Sequence, residues 1–228
     1  GTFTTYPIRM NTTEWISFAG AGLGTYYLVR NDDYLRGKIN TKVNKYDSKF
    51  WKIFEKYGVV QYAEFAGAVV YSVGLFSEDK NVRTLGRMII QSLTYSGASA
   101  MIIRMIAGRK RPTFTDDPLN FIGFTTNNSY QSFPSGHTTV AFALSTVLAE
   151  YFDSPWSRIG FYSIAGLSAA ERLINSEHWF TDVALGAALG FLGGIHVINE
   201  EAKRNNKAAS RLSIYPDLNG ISLRYNLN

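Results

Sequence analysis

Pro134-Ser135-Gly136-His137 stands directly before a helix-forming run, Thr138 to Tyr151, and this stretch decides how the chain is read. The first backbone N–H groups of a helix have no acceptor inside it, so a helix start binds phosphate. Gly136 lets the backbone come close to a ligand. Ser135 adds a hydroxyl donor. His137 is placed to give a proton to a departing oxygen. A plain turn and N-cap would account for the Pro-Ser-Gly portion but not for the histidine.

Upstream, Arg104 is followed seven residues later by Arg111-Pro112. On a continuous helix, seven residues make two turns, so both guanidiniums start on one face and can grip a tetrahedral oxyanion from two sides. Arg109 and Lys110 then point elsewhere. Downstream, Arg172 is followed by His178 six residues on and Asp182 four later. At that spacing on a helix the imidazole and the carboxylate face the same way. The carboxylate fixes the tautomer and leaves the other ring nitrogen as a nucleophile. Alone, the first motif reads as a solvated basic helix end and the third as a surface ion pair. Together their order and spacing are joint constraints. Two histidines, three arginines and one carboxylate suffice for phosphoryl transfer: the arginines hold the phosphate, one histidine attacks, the other protonates the leaving group.

With these motifs the chain resembles the superfamily of type 2 phosphatidic acid phosphatases, class A bacterial acid phosphatases and vanadium haloperoxidases. That pattern is Lys-x6-Arg-Pro, Pro-Ser-Gly-His, then Ser-Arg-x5-His-x3-Asp. Here it reads Arg104 to Arg111-Pro112, Pro134 to His137, and Glu171-Arg172 through His178 to Asp182. Arg104 replaces the usual Lys, and Glu171 replaces a Ser. The resemblance spans roughly Val59 to Val197 and implies an all-α helical bundle with the motifs meeting at one end. It implies a phosphohistidine on His178, oriented by Asp182, with His137 as acid and then base. Arg104, Arg111, Arg172, Ser135 and the Gly136 amide would bind the phosphoryl oxygens. No metal and no cofactor is expected, because three guanidiniums do the neutralising.

The 228 residues are 46% hydrophobic and 18% charged, which is globular chemistry rather than disorder. The net charge of +5 suits anionic ligands or an anionic membrane surface. No basic stripe accompanies a nucleic-acid reader motif, so nucleic acid is not an expected partner. Without cysteine, disulfides and thiolate metal sites are excluded. Apolar stretches free of Asp, Glu, Lys and Arg include Val183–Asn199, Met88–Ile103 and Trp15–Val29, at 17, 16 and 15 residues. A spanning helix wants about 20 apolar residues. Mean hydropathy is −0.08, and a soluble or membrane-docked bundle fits better than a multi-spanning one.

Along the chain, Asn11 to Glu14 reads as a capped helix start, with an apolar helix to about Arg30. Asn31 to Ser48 reads as a loop. Phe50 to Tyr57 reads as a short amphipathic helix, Val59 to Phe76 as an apolar one and Val82 to Gly108 as one long helix. A functional loop is expected over Thr113 to Phe133. Further helices follow from Ser154-Pro155 to about Leu173 and from His178 to Val197. Residues 1–199 would form the helical phosphatase domain. Residues 200–228 would be a charged linker and tail, in which Leu212, Ile214, Ile221, Leu223 and Tyr225 alternate with polar neighbours around Asn219-Gly220, predicting a short C-terminal β-hairpin. His196 reads as a packing or surface histidine.

The leading function is a phosphatase acting on a phosphomonoester or phosphoanhydride, with a lipid phosphate as the substrate class. The apolar helices and the aromatic residues Phe114, Phe121, Phe124, Tyr130 and Phe133 near the site motivate the lipid. The compartment implied by the resemblance is the periplasm or cell envelope, with the protein soluble or membrane-associated. Three alternatives stand beside it: a nonspecific soluble acid phosphatase, a vanadate-dependent haloperoxidase, and a non-catalytic binder of phospholipid head groups.

Overall fold

A computed structural model describes residues 26–42, 48–204, 212–217 and 220–225. Its helices are α1 (Asp32–Lys42), α2 (Ser48–Tyr57), α3 (Val60–Phe76), α4 (Lys80–Ala107), α5 (Gly136–Phe152), α6 (Pro155–Ile174) and α7 (Phe180–Arg204). Residues 26–30 form a helical segment just ahead of α1. A 3-10 turn at Asn128–Tyr130 lies within the long connection between α4 and α5. Strands β1 (Leu212–Asp217) and β2 (Gly220–Tyr225) pair antiparallel, Leu212 opposite Tyr225 and Asp217 opposite Gly220. The architecture is thus the expected helical bundle with a hairpin tail. Gly220 opens the second strand instead of sitting in the turn, and Asn219 falls outside the described residues.

Helix α5 is apolar or small on nearly every side, from Thr138 to Ala149, and a helix of that kind belongs in the middle of a bundle. It packs against α4, α6 and α7, while α3 lies along α4 and α2 along α6. Leu85, Met88, Ile89 and Leu93 of α4 meet Val140, Ala143, Leu144 and Val147 of α5 to form the core. Helix α4 starts where Asp79 accepts the Asn81 and Val82 N–H groups, at 2.8 and 3.2 Å. Helix α6 starts at Ser154-Pro155, with the Ser154 N–H donating to Ser157 Oγ at 3.2 Å.

The seam between α5 and α7 positions the site. Gly186, Gly190 and Gly194 follow one another every four residues along α7. A Cβ on Gly186 would lie 2.6 Å from the Ser135 carbonyl oxygen, and one on Gly190 would lie 2.3 Å from that of Thr139. The two backbones therefore touch, and the Ser135 N–H donates to the Asp182 carbonyl at 2.9 Å. Gly190→Ala is expected to wedge the seam open and lower stability towards the upper end of about 1–3 kcal/mol, read as a fall in Tm.

Two sequence expectations are corrected here. The polar sequence from Asn31 to Ser48 predicts a loop, but 32–42 is helix α1. Its first turn carries Asp32 and Asp33, which suit a helix N-terminus, and tertiary contacts rather than an apolar stripe hold it: Arg36 pairs with Asp116 at 2.9 Å. The linker expected from Glu200 is helical as far as Arg204, so position 199 lies inside α7, where Glu201 pairs with Arg87 at 2.7 Å. Among the described residues, α7 alone is long and apolar enough to cross a bilayer by itself; α2 and α3 would do so only as one span broken by a 63° bend. The capped start at Asn11 and most of the Trp15–Val29 stretch lie outside the described residues.

Candidate active site

Ser135 is the N-cap of α5. Its Oγ accepts from the Thr138 N–H at 3.4 Å and from Thr138 Oγ1 at 3.0 Å, so its own proton is left to donate. The N–H groups of Gly136 and His137, in the first turn, have no acceptor within the helix. A Cβ on Gly136 would lie 2.4 Å from Arg104 Nη2, so glycine is what lets that guanidinium lie against the helix start. Arg104 is fixed there by donating from Nε and Nη2 to the Pro134 carbonyl, both at 3.3 Å.

Arg111 reaches the same place by another route than expected. Helix α4 stops at Ala107, and Gly108 takes the left-handed conformation at φ 57°. Beyond it the chain runs against the long loop: the Lys110 N–H donates to Asn120 and the Arg111 N–H to Ser129, both at 2.9 Å. Arg104 and Arg111 are therefore not two turns apart on one helical face. Arg111 Nη1 nevertheless lies 3.4 Å from His178 Nε2, and it donates to the Glu177 carbonyl at 3.2 Å.

His178 lies two residues ahead of α7, and Asp182 is in its first turn. Asp182 reaches back to accept the Trp179 N–H on Oδ2 at 2.8 Å, as in a capping box. Ser132 Oγ donates to the same oxygen. His178 Nδ1 is 2.8 Å from the Ser132 carbonyl and 3.6 Å from Asp182 Oδ2. A carbonyl only accepts, so Nδ1 carries the proton and Nε2 presents its lone pair towards Arg111. The direct acceptor is thus the Ser132 backbone, with the Asp182 charge beside it. Burial lowers the His178 pKa, Asp182 opposes this, and Arg111 and Arg104 add to the lowering, which favours the neutral ring.

Arg172 ends α6. Its Nε is bonded to the Glu171 carboxylate, which also takes the Asn175 side-chain amide, and its Nη2 is 3.5 Å from Glu55 Oε1. Glu171 is buried, so the residue that replaces the family's serine serves as a tether for Arg172. Burial pushes the His137 imidazole down to about 3, and the charges of Arg172, His178, Arg111 and Arg104 push the same way. The protein surroundings alone thus favour the neutral imidazole.

His137 lies between two openings. On one side a groove of about 560 Å³ runs between α3 and α4, lined by Val60, Gly97, Met101, Arg104, Gly136 and His137. On the other a polar mouth of about 500 Å³ is lined by Arg111, Phe114, Asn128, His137, Arg172 and Glu177. All eight residues singled out in the sequence thus gather at one end of the bundle. His196 is exposed far along α7, its ring 5.8 Å from that of Tyr95. Sequence reasoning missed three contributors: Ser132, Asp32 and Arg109. Arg109 does not point away but donates from Nη1 to Asp182 Oδ1 at 2.6 Å. The only hint was its place in the basic run Arg109-Lys110-Arg111.

Over 65 residues the chain is 45% identical to a lipid A 1-phosphatase of Porphyromonas gingivalis, covering 28% of this chain and 15% of that protein. Over 111 residues it is 30% identical to a lipid A 1-phosphatase of Rhizobium johnstonii, covering 48% of this chain and 45% of that protein. The chain therefore spans less than half the length of these curated relatives. The fold is shared with Aquifex aeolicus LpxE at TM-score 0.55 and 22% identity, covering 72% of this chain and 92% of that one. It is shared with a transmembrane PAP2 type phosphatidylglycerolphosphate phosphatase of Bacillus subtilis at TM-score 0.62 and 17% identity, covering 81% and 96%. The sequence profile of the PAP2 superfamily matches residues 86–205, a stretch that holds all three motifs, and the chain belongs to that superfamily.

Proposed function

We propose that this chain is a lipid phosphate phosphatase working through a phosphohistidine on His178. The observation that carries the lipid is the groove between α3 and α4, which opens directly onto Arg104, Gly136 and His137. An acyl chain laid in it would bring a phosphate to the start of α5. The outer faces of the same helices expose Phe65, Val69, Val73, Met101 and Ile102, with Phe76 87% exposed, a surface suited to a membrane-associated protein of the cell envelope.

His178 Nε2 attacks phosphorus as the ester P–O bond breaks. The bonding pair leaves on the ester oxygen, which takes its proton from His137, charged once the phosphate has entered. Neutral His137 then removes a proton from water, whose oxygen attacks phosphorus. The N–P bond breaks, its pair returns to Nε2, and inorganic phosphate departs. Through both steps Arg104, Arg111 and Arg172 neutralise the phosphoryl oxygens, with the Ser135 hydroxyl and the Gly136 N–H adding hydrogen bonds. The Ser132 carbonyl and the Asp182 charge stabilise the ring while it is positive. The relatives named lipid A 1-phosphatase support a phosphorylated glycolipid, and the polar mouth offers room for its sugar.

Turnover on lipid A carrying a 1-phosphate should exceed turnover on p-nitrophenyl phosphate. Nothing lies within 4 Å of a Cβ on Gly97, so Gly97→Trp projects an indole into the groove without a backbone clash. It should cut kcat/KM for the lipid about tenfold or more and leave the small ester within about twofold. Equal wild-type rates on both substrates, or an indifferent Gly97→Trp, would remove the lipid from the proposal and leave a phosphatase of small esters.

A further inference from the structure

Arg109 has no exposed surface, yet all five of its N–H donors are placed. Nη1 donates to Asp182 Oδ1 at 2.6 Å and to Thr181 Oγ1 at 2.8 Å. Nη2 donates to Asp32 Oδ2 at 2.9 Å and to the Pro118 carbonyl at 2.8 Å, and Nε donates to that carbonyl at 3.0 Å. The guanidinium carbon lies 5.2 Å from the ring centres of Phe121 and Trp179. Asp32, on α1, is equally buried and accepts the Thr181 N–H at 3.1 Å and its hydroxyl. A buried guanidinium between two carboxylates, with no donor spare, has one orientation.

We propose that Arg109 is a positioning residue for phosphoryl transfer, pinned by Asp32 so that Asp182 keeps Oδ1 occupied and presents Oδ2 to His178. The inference rests on His178 being the nucleophile. Among the described residues, the other direct partners of Asp182 are Ser132 Oγ and the Trp179 N–H, and both lie on Oδ2. Without Arg109, nothing fixes Oδ1. The carboxylate would also lose its nearest cation in a site closed to water, and would hold a proton more readily. The remaining charges that face it are His178 beside it, Arg104 and Arg111 across the pocket, and Asp32 behind Arg109.

The test uses Arg109→Lys and Asp32→Asn in the full chain, with wild type alongside. Arg109→Lys should lower kcat about 100-fold with KM within about twofold, because Arg109 does not touch the substrate. The acid limb of the kcat–pH profile should rise by about one unit as Asp182 takes up a proton more easily. Asp32→Asn should lower kcat by less, again with KM within about twofold, and the double variant should fall short of the sum. The amplitude of the phosphoenzyme burst counts competent sites. A positioning role slows the burst at constant amplitude and moves the limb. A smaller amplitude with an unmoved limb would show a merely structural arginine and overturn the inference, as would an unchanged kcat. Should Arg109→Lys fail to fold, Asp32→Asn decides alone, and an unchanged kcat there overturns it. Failure of the underlying reading looks different: wild type itself would then carry no phosphate on His178.

Discussion

His178→Ala should abolish turnover, by at least about 10⁴-fold, while the protein still folds. In the proposed mechanism the nitrogen lost is the one that forms the bond to phosphorus, and no other imidazole is assigned that step: His137 is the proposed proton donor, and His196 is exposed elsewhere on α7. Wild type mixed with substrate and quenched without acid should carry one covalent phosphate, mapped to His178 by mass spectrometry. The variant should carry none. Full activity in a folded His178→Ala protein would remove His178 from the mechanism, whatever the substrate.

The second large effect is expected at His137. Its imidazole is held down to about 3, by burial first and then by the surrounding positive charges. An anion there offsets Arg172, Arg111 and Arg104, so the proton affinity of His137 must rise when an oxyanion binds. The sign follows: binding takes up a proton whenever the pH lies above about 3 and below the raised value, and affinity strengthens as pH falls through that window. Sulfate is the cleanest probe because it does not itself titrate there. Calorimetry in two buffers of different ionisation enthalpy should show proton uptake at pH 6 for wild type and none for His137→Asn. That variant should lose about 10²- to 10⁴-fold on a lipid phosphate, whose alkoxide needs the proton. With p-nitrophenyl phosphate, whose leaving group does not, it should instead release one burst of nitrophenol and stall as phosphoenzyme. A steady, unimpaired rate on the lipid would contradict the role.

The parts of the site that rest on local structure were legible in the sequence. Pro134 to His137 is a helix start by chemistry alone, and His178 and Asp182 meet because four residues separate them, even though the helix begins only at Phe180. What spacing could not show was the path after a helix ends. Counting seven from Arg104 presumed a helix through Arg111, whereas Gly108 turns the chain left-handed and sends Arg109 inwards. Asp32 was hidden for a similar reason. Helix α1 has no apolar stripe, and its place is set by pairing with residues 77 and 149 positions away, a relation no local pattern carries. The hairpin was visible because alternation is itself local, and its strands fall at Leu212–Asp217 and Gly220–Tyr225.

The placement of His137 between two openings sets an order of events. With a lipid substrate and His178 carrying the phosphoryl group as proposed, the dephosphorylated lipid would leave along the α3–α4 side and the next acceptor would enter from the Phe114 side. Kinetics should then be ping-pong, with phosphorus inverted twice and so left with its original handedness. Any small alcohol able to enter that side would compete with water for the phosphoryl group, and the ratio of the two products would measure how wide that entrance is.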